Sequence, residues 1–230
     1  MGLTIHYEFQ TRNLNTTAAR ELLESLRRAA LHLPFQFVGS AIEEFTGIQC
    51  ANEDPHDDLR WLKLQASRYL ARGESYYTIQ PTHILALVTS PGKGSEPAIF
   101  GLCRYPETTV IEGETVSTQL EGWSWAGSCK TQYASNPAIG GVHNFLRCHL
   151  SVISLLDSAH RLGFVKKVSD ESGYWEKRDR KELTRTVDKW NCMMAGFAGR
   201  LIDECGVRVK AAITEYPNFE HLEALAQVER

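Results

Sequence analysis

The chain has 230 residues, 43% hydrophobic and 23% charged, which is ordinary globular composition and enough to bury a core without disulfide staples. Its net charge of −3 argues against a general nucleic-acid binder, which needs a basic excess to neutralise phosphates. The six cysteines include no CxxC pair, which argues against a structural zinc site and points to small buried thiols in a reducing compartment.

The opening MGLTIHYEFQ alternates in polarity, whereas a secretory leader joins a basic start to an apolar stretch. No apolar run approaches the roughly 18 residues of a membrane span. The expected location is therefore cytoplasmic, with no membrane partner.

Leu3, Ile5, Tyr7 and Phe9 alternate with Thr4, His6 and Glu8, a period of two that predicts a strand. On it His6 faces the polar side. A helix is predicted from about Thr17 to Leu33, with Asn15, Thr16 and Thr17 as capping oxygens and Pro34 as its stop. Phe35 to Val38 begins a second strand. Residues 43–58 are polar and loop-like. The acids of Glu53-Asp54-Pro55-His56-Asp57-Asp58 suit the positive end of the helix that follows better than a metal cluster. That helix is predicted from about Asp58 to Ala71.

Residues 76–130 read as β-rich. Strands are expected at His83–Thr89, Ala98–Tyr105 and Gln119–Lys130, with Pro91–Ser95 as a hairpin loop and Pro106–Gly113 as a turn. Pro91-Gly92-Lys93-Gly94-Ser95 leads into a strand and lacks the spacing of a phosphate loop. Next come a helix from about Val142 to Leu162, Gly163 as its C-cap and a strand at Phe164–Val168. A long helix then runs from the Asp179 cap to about Glu204. On it Leu183, Val187, Trp190, Met194, Phe197, Leu201 and Cys205 recur at steps of four and three, a stripe for a core or a partner helix. Val207–Ile213 is predicted as a last strand, with a short helix after Asn218.

This order indicates an α+β or α/β fold with a single mixed sheet of about six or seven strands, its C-terminal half alternating β-α-β-α-β-α. One domain over 1–230 is expected; a composition shift near residue 75 is the best candidate boundary.

In open α/β sheets ligands bind beyond the carboxyl ends of the strands. Two loops leave such ends, 130–143 and 169–176, and they share one end of the sheet if their strands are parallel. Arg12 joins them if the first strand is parallel too. In the first loop Gly140 and Gly141 precede a helix. Their backbone N–H groups, the helix start and Lys130 suit an anion, with Tyr133 nearby for stacking. In the second, Asp170 and Glu171 are candidates to act as acid–base groups, or to hold a metal with His143 at the facing helix start. Tyr174 and Trp175 are candidates to stack on a ring. Cys129 beside Lys130 is better read as a packed sheet residue than as a reactive thiol, and His149 as a hydrogen-bonded core histidine.

The expected function is a strand-end site for a small anionic or aromatic ligand, with binding and catalysis both open. The alternative is a protein-interaction module using the long helix 180–204. No cofactor and no metal is named by the pattern, and no nuclease, nucleophile-elbow or dinucleotide motif occurs.

Overall fold

The alternating first segment becomes the strand around which the rest is laid. In the computed structural model, which describes residues 3–51, 53–205 and 211–228, β1 is Thr4–Thr11. Ile5, Tyr7 and Phe9 are each at most 1% exposed, whereas His6 is exposed. Helix α1 (Thr16–Leu31) follows, and the Asn15 side chain accepts from the Ala18 N–H as its N-cap.

β2 (Phe37–Val38) and β3 (Glu43–Thr46) both pair with β6 (His83–Ser90). The second of these corrects the loop expected there: only half of the short segment is turned inward, so no apolar pattern announces it. Helix α2 is short, Arg60–Ala66, and a hairpin of β4 (Arg68–Arg72) and β5 (Ser75–Ile79) replaces the last turn expected of it. β7 (Ala98–Arg104) returns antiparallel to β6. A small hairpin, β8 (Thr108–Ile111) and β9 (Glu114–Ser117), occupies much of the predicted turn. β10 (Trp123–Lys130), α3 (Gly141–Arg161), β11 (Val165–Asp170), the single turn α4 (Tyr174–Lys177) and α5 (Arg180–Cys205) complete the alternating half.

Residues 212–215 form a 3-10 turn before α6 (Phe219–Val228). The terminal strand expected over 207–213 is therefore not formed at its described end, and residues 206–210 lie outside the described part of the chain.

The protein is thus α+β, with one principal sheet in the order β11-β1-β10-β7-β6-β2. Every pairing in that sheet is antiparallel. β10 and β11 run the same way only because β1 lies between them, antiparallel to both. Their carboxyl ends do share one end of the sheet. They flank the start of β1, where the Thr131 N–H donates to Leu3 O and the Glu171 N–H to Thr4 O. Two strand spacings, roughly 10 Å, separate them. Arg12 follows β1 at the opposite end, so it does not join the two loops.

Helices α1 and α3 cover the face bearing Ile5, Tyr7 and Phe9, and their apolar stripes enter the same core as Trp123 and Trp125. Tyr7 O–H and Trp125 Nε1–H both donate to Ile99 O, at 2.7 and 3.0 Å. Gly101 and Gly127 leave room for these rings; a Cβ on either would meet the Trp125 or Tyr7 ring at 2.6 or 2.5 Å. β6 and β7 are buried nearly throughout. The outward faces of β10, β1 and β11 remain open, with α2 at their margin. No helix among the described residues is long and apolar enough to cross a membrane.

Candidate functional site

At the carboxyl end of β11 the chain turns Asp170 inward. Its side chain and that of His149 on α3 are fully withdrawn from solvent, with His149 Nε2 3.3 Å from Asp170 Oδ2. The carboxylate also accepts from the backbone N–H groups of Ser172 and Trp175, at 2.9 and 3.0 Å. The Ser172 hydroxyl lies 2.8 and 2.7 Å from its two oxygens. His149 Nδ1 meets Thr131 Oγ1 at 2.9 Å, so the imidazole ties the ends of β10 and β11 together. Burial pushes the Asp170 carboxyl upward, but the hydrogen bond and charge of His149 and the Ser172 contacts outweigh it and hold it below its ordinary value.

A serine, a histidine and an aspartate here share residue types with a hydrolase triad, but not its arrangement. A triad sets serine and carboxylate on opposite ring nitrogens. Here both sit at Nε2, since Ser172 Oγ is 3.2 Å from that atom. All three side chains are buried, and both Asp170 oxygens already have partners within the protein.

The other expected residues disperse. Lys130 holds its ammonium 4.7 Å from the Tyr133 ring centre, and Tyr133 packs against the cluster shared by α5 and α6. Gly140 and Gly141 take positive φ, 109° and 58°, which turns a 3-10 segment into α3. His143 is exposed on that helix, and its side chain makes no hydrogen bond or ion pair among the described residues. Tyr174 and Trp175 pack on the core, and the Arg178 guanidinium lies over their rings at 5.9 and 4.5 Å. Asp157 fixes that guanidinium with two 2.8 Å bonds, so the faces expected to receive a ligand ring are occupied.

Cys129 is buried, and desolvation pushes its thiol up to about 12, which leaves no thiolate at neutral pH. Among the described residues no group of three or more His, Cys, Asp or Glu side chains is placed to hold a metal ion. Asp54 and Asp57 instead accept from the His56 and Leu59 N–H groups in local turns.

The expected stripe of α5 is divided. Leu183 and Val187 enter a cluster with Leu3 and Phe145, with Trp190 packed against it. Farther along, the face turned to α6 carries Ala195 and Ala198. A Cβ on Gly196 would come within 2.6 Å of Ala226. Met193 and Phe197 are 44% and 45% exposed.

Glu171 has a different setting from Asp170. It is exposed, and its Oε2 accepts from the Thr4 N–H at 2.8 Å. Its Oε1 stands 3.8 Å from His6 Nε2. In the sheet register His6 is opposite Ser128 on β10 and Ser169 on β11. The next outward row sets Glu8 between Ala126 and Lys167. These side chains, with Gln65 of α2, surround a depression of about 320 Å³ floored by Ala126 and Gly127. Glu8 is paired with Lys166 at 3.3 Å, whereas Lys167 has no acidic partner among the described residues. The depression thus offers an imidazole, an ammonium, two hydroxyls and an amide above a floor of small residues, and the Glu8 carboxylate, paired with Lys166, also lines it. His6 is legible as an outward side chain of β1, but its strand neighbours Ser128 and Ser169 are more than a hundred residues away, and no local pattern names them.

The chain matches no protein-family model, and no curated protein or solved structure shows significant similarity to it.

Proposed function

We propose that the protein binds a small anionic ligand on the open face of β10-β1-β11, with His6 as the group able to exchange a proton with it. The observation that carries this reading is the convergence of His6, Ser128, Ser169, Lys167 and Gln65, from four separate elements, on one depression. Lys167 supplies a charge with no acidic partner of its own among the described residues. The hydroxyls and the amide supply directional donors, and the Glu171 carboxylate, 3.8 Å from His6 Nε2, helps to orient the imidazole. A carboxylate or phosphate group suits this donor set; a purely aromatic ligand finds no free ring face.

Thermal unfolding with phosphate monoesters and dicarboxylates tests the reading. A ligand at about 100 times its dissociation constant adds about 2.7 kcal/mol. The expected result is a shift in the native protein that disappears in Lys167→Ala and in Ser128→Trp, which fills the depression. An equal shift in both variants overturns the reading.

A second reading, α5 as a docking face for another protein, draws on the exposed Met193 and Phe197, one turn apart, and on Leu225 of α6, 42% exposed. Trp190 packs against the cluster of Leu3, Phe145, Leu183 and Val187, which turns the largest side chain of the stripe away from this surface, and the ligand reading has the stronger support.

A further inference from the structure

A second depression of about 630 Å³ lies at the opposite end of β1, roughly 20 Å from His6 at the usual rise per residue. Arg12, Arg104, Glu107 and Glu121 line it. None of the four has a partner of opposite charge within ion-pair distance among the described residues. The Arg104 guanidinium lies over the Trp123 ring at 4.9 Å and donates to Leu14 O at 2.8 Å. Trp123 Nε1–H donates to the same carbonyl at 3.0 Å. One cation is thus held in place while its charge stays uncompensated.

The wall is fixed as well. Thr118 is buried, and its hydroxyl donates to Pro106 O at 2.6 Å. Gln119 takes a φ of 57°, a left-handed conformation that costs a non-glycine residue free energy and recurs at ligand sites. Gly122, at φ 68°, lies against the backbone of Thr11 and Arg12, where a Cβ has no room. Two cations and two anions, each without an opposite charge of its own, therefore face one depression with a rigid wall.

We propose that this depression is a separate site for a zwitterion of amino-acid or short-peptide type, with its carboxylate on Arg12 and Arg104 and its ammonium facing Glu107 and Glu121. A phosphate dianion meets two repelling carboxylates here, whereas a zwitterion matches both signs. Planar guanidinium groups also suit a carboxylate geometrically.

The test follows the Trp123 indole N–H in ¹H–¹⁵N spectra, assigned with Trp123→Phe. The probes are dialanine, N-acetyl-dialanine, dialanine amide and inorganic phosphate. Dialanine is expected to shift the resonance saturably, and both blocked dipeptides to bind at least about ten-fold more weakly, the equivalent of one lost charged contact. Arg12→Ala, at an exposed side chain, is expected to weaken dialanine by at least about ten-fold. Glu121→Gln is expected to weaken dialanine while leaving N-acetyl-dialanine unchanged or tighter. Three results overturn the proposal: no saturable shift with dialanine, phosphate binding as tightly as dialanine, or dialanine binding unchanged in Arg12→Ala. Arg12 and Glu121 do not line the His6 depression, so a failure here leaves that reading intact.

Discussion

His149 Nε2 stands 3.3 Å from Asp170 Oδ2, with both side chains withdrawn from water. The imidazole bridges two strands that are not neighbours, since β1 separates β10 from β11 and His149 also meets Thr131 on the far side. Removing one partner of a buried pair strands the other without water or a substitute. Asp170→Asn keeps the shape but loses the charge and an acceptor for the Ser172 and Trp175 N–H groups. It is expected to cost about 3 kcal/mol in urea unfolding. A loss below about 1 kcal/mol, the scale of an ordinary exposed contact, contradicts a structural role for this pair.

The same pair sets a pH dependence. Asp170 is held below its ordinary value in the folded protein, so the unfolded chain binds the proton more tightly. The stabilisation is fully present above the unfolded value, near about 3.9, and is lost as pH falls through the lower folded value. The stability difference between the native protein and Asp170→Asn is expected to narrow as pH is lowered below about 4. Urea midpoints of both proteins across the acid range check this. A difference that persists unchanged at the acid end rules out Asp170 as the titrating group.

How far the sequence announced this arrangement depends on the range of the interaction. Ile5, Tyr7 and Phe9 declare β1 through a period of two, and Asn15 caps α1 within three residues. The β6–β7 hairpin is equally local. Glu43–Thr46 and Arg68–Arg72 escape notice because the first is a short polar strand and the second continues an apolar pattern that also suits a helix. The insertion of β1 between β10 and β11 is decided by pairings across more than a hundred residues. That insertion moves the cluster of exposed polar groups from the loops to the sheet face. It puts Asp170 inside and Glu171 outside, one residue apart, and it gives His6 its serine neighbours. Gly196 and Gly199 carry a local sign of close helix packing, overshadowed by the larger apolar residues around them.

Gly127 is the joint between core and depression. Its missing side chain accommodates the Tyr7 ring, which a Cβ would meet at 2.5 Å. Tyr7 has little freedom to retreat, since its hydroxyl is bound to Ile99 O and its ring stacks on Phe100 with centres 5.1 Å apart. Gly127→Ala is expected to destabilise the protein by about 1–3 kcal/mol, the usual cost of overpacking a dense core. Ala126→Ser, one residue along on the exposed face, is expected to stay within about 0.5 kcal/mol. Equal effects of the two substitutions in thermal unfolding contradict the assignment of their faces.

The hydroxyl of Ser135 joins the C-terminal helices to the rest. It donates to Gln132 O at 2.6 Å, accepts from Asn191 Nδ2 at 2.9 Å and lies 3.0 Å from the Tyr216 hydroxyl. Asn191 Oδ1 in turn receives the buried Gln132 amide at 3.3 Å. Burial pushes the Tyr216 hydroxyl up to about 12, so it remains protonated through the neutral range. Asn191→Ala leaves the Gln132 amide without its acceptor and is expected to cost about 2 kcal/mol; Tyr216→Phe removes one hydrogen bond and is expected to cost about 1 kcal/mol. Both changes act on one oxygen, so their effects are expected to depart from additivity by at least about 0.5 kcal/mol in a double-mutant cycle. Strict additivity contradicts Ser135 as the shared junction, because groups bound to the same atom reorganise together when either is lost.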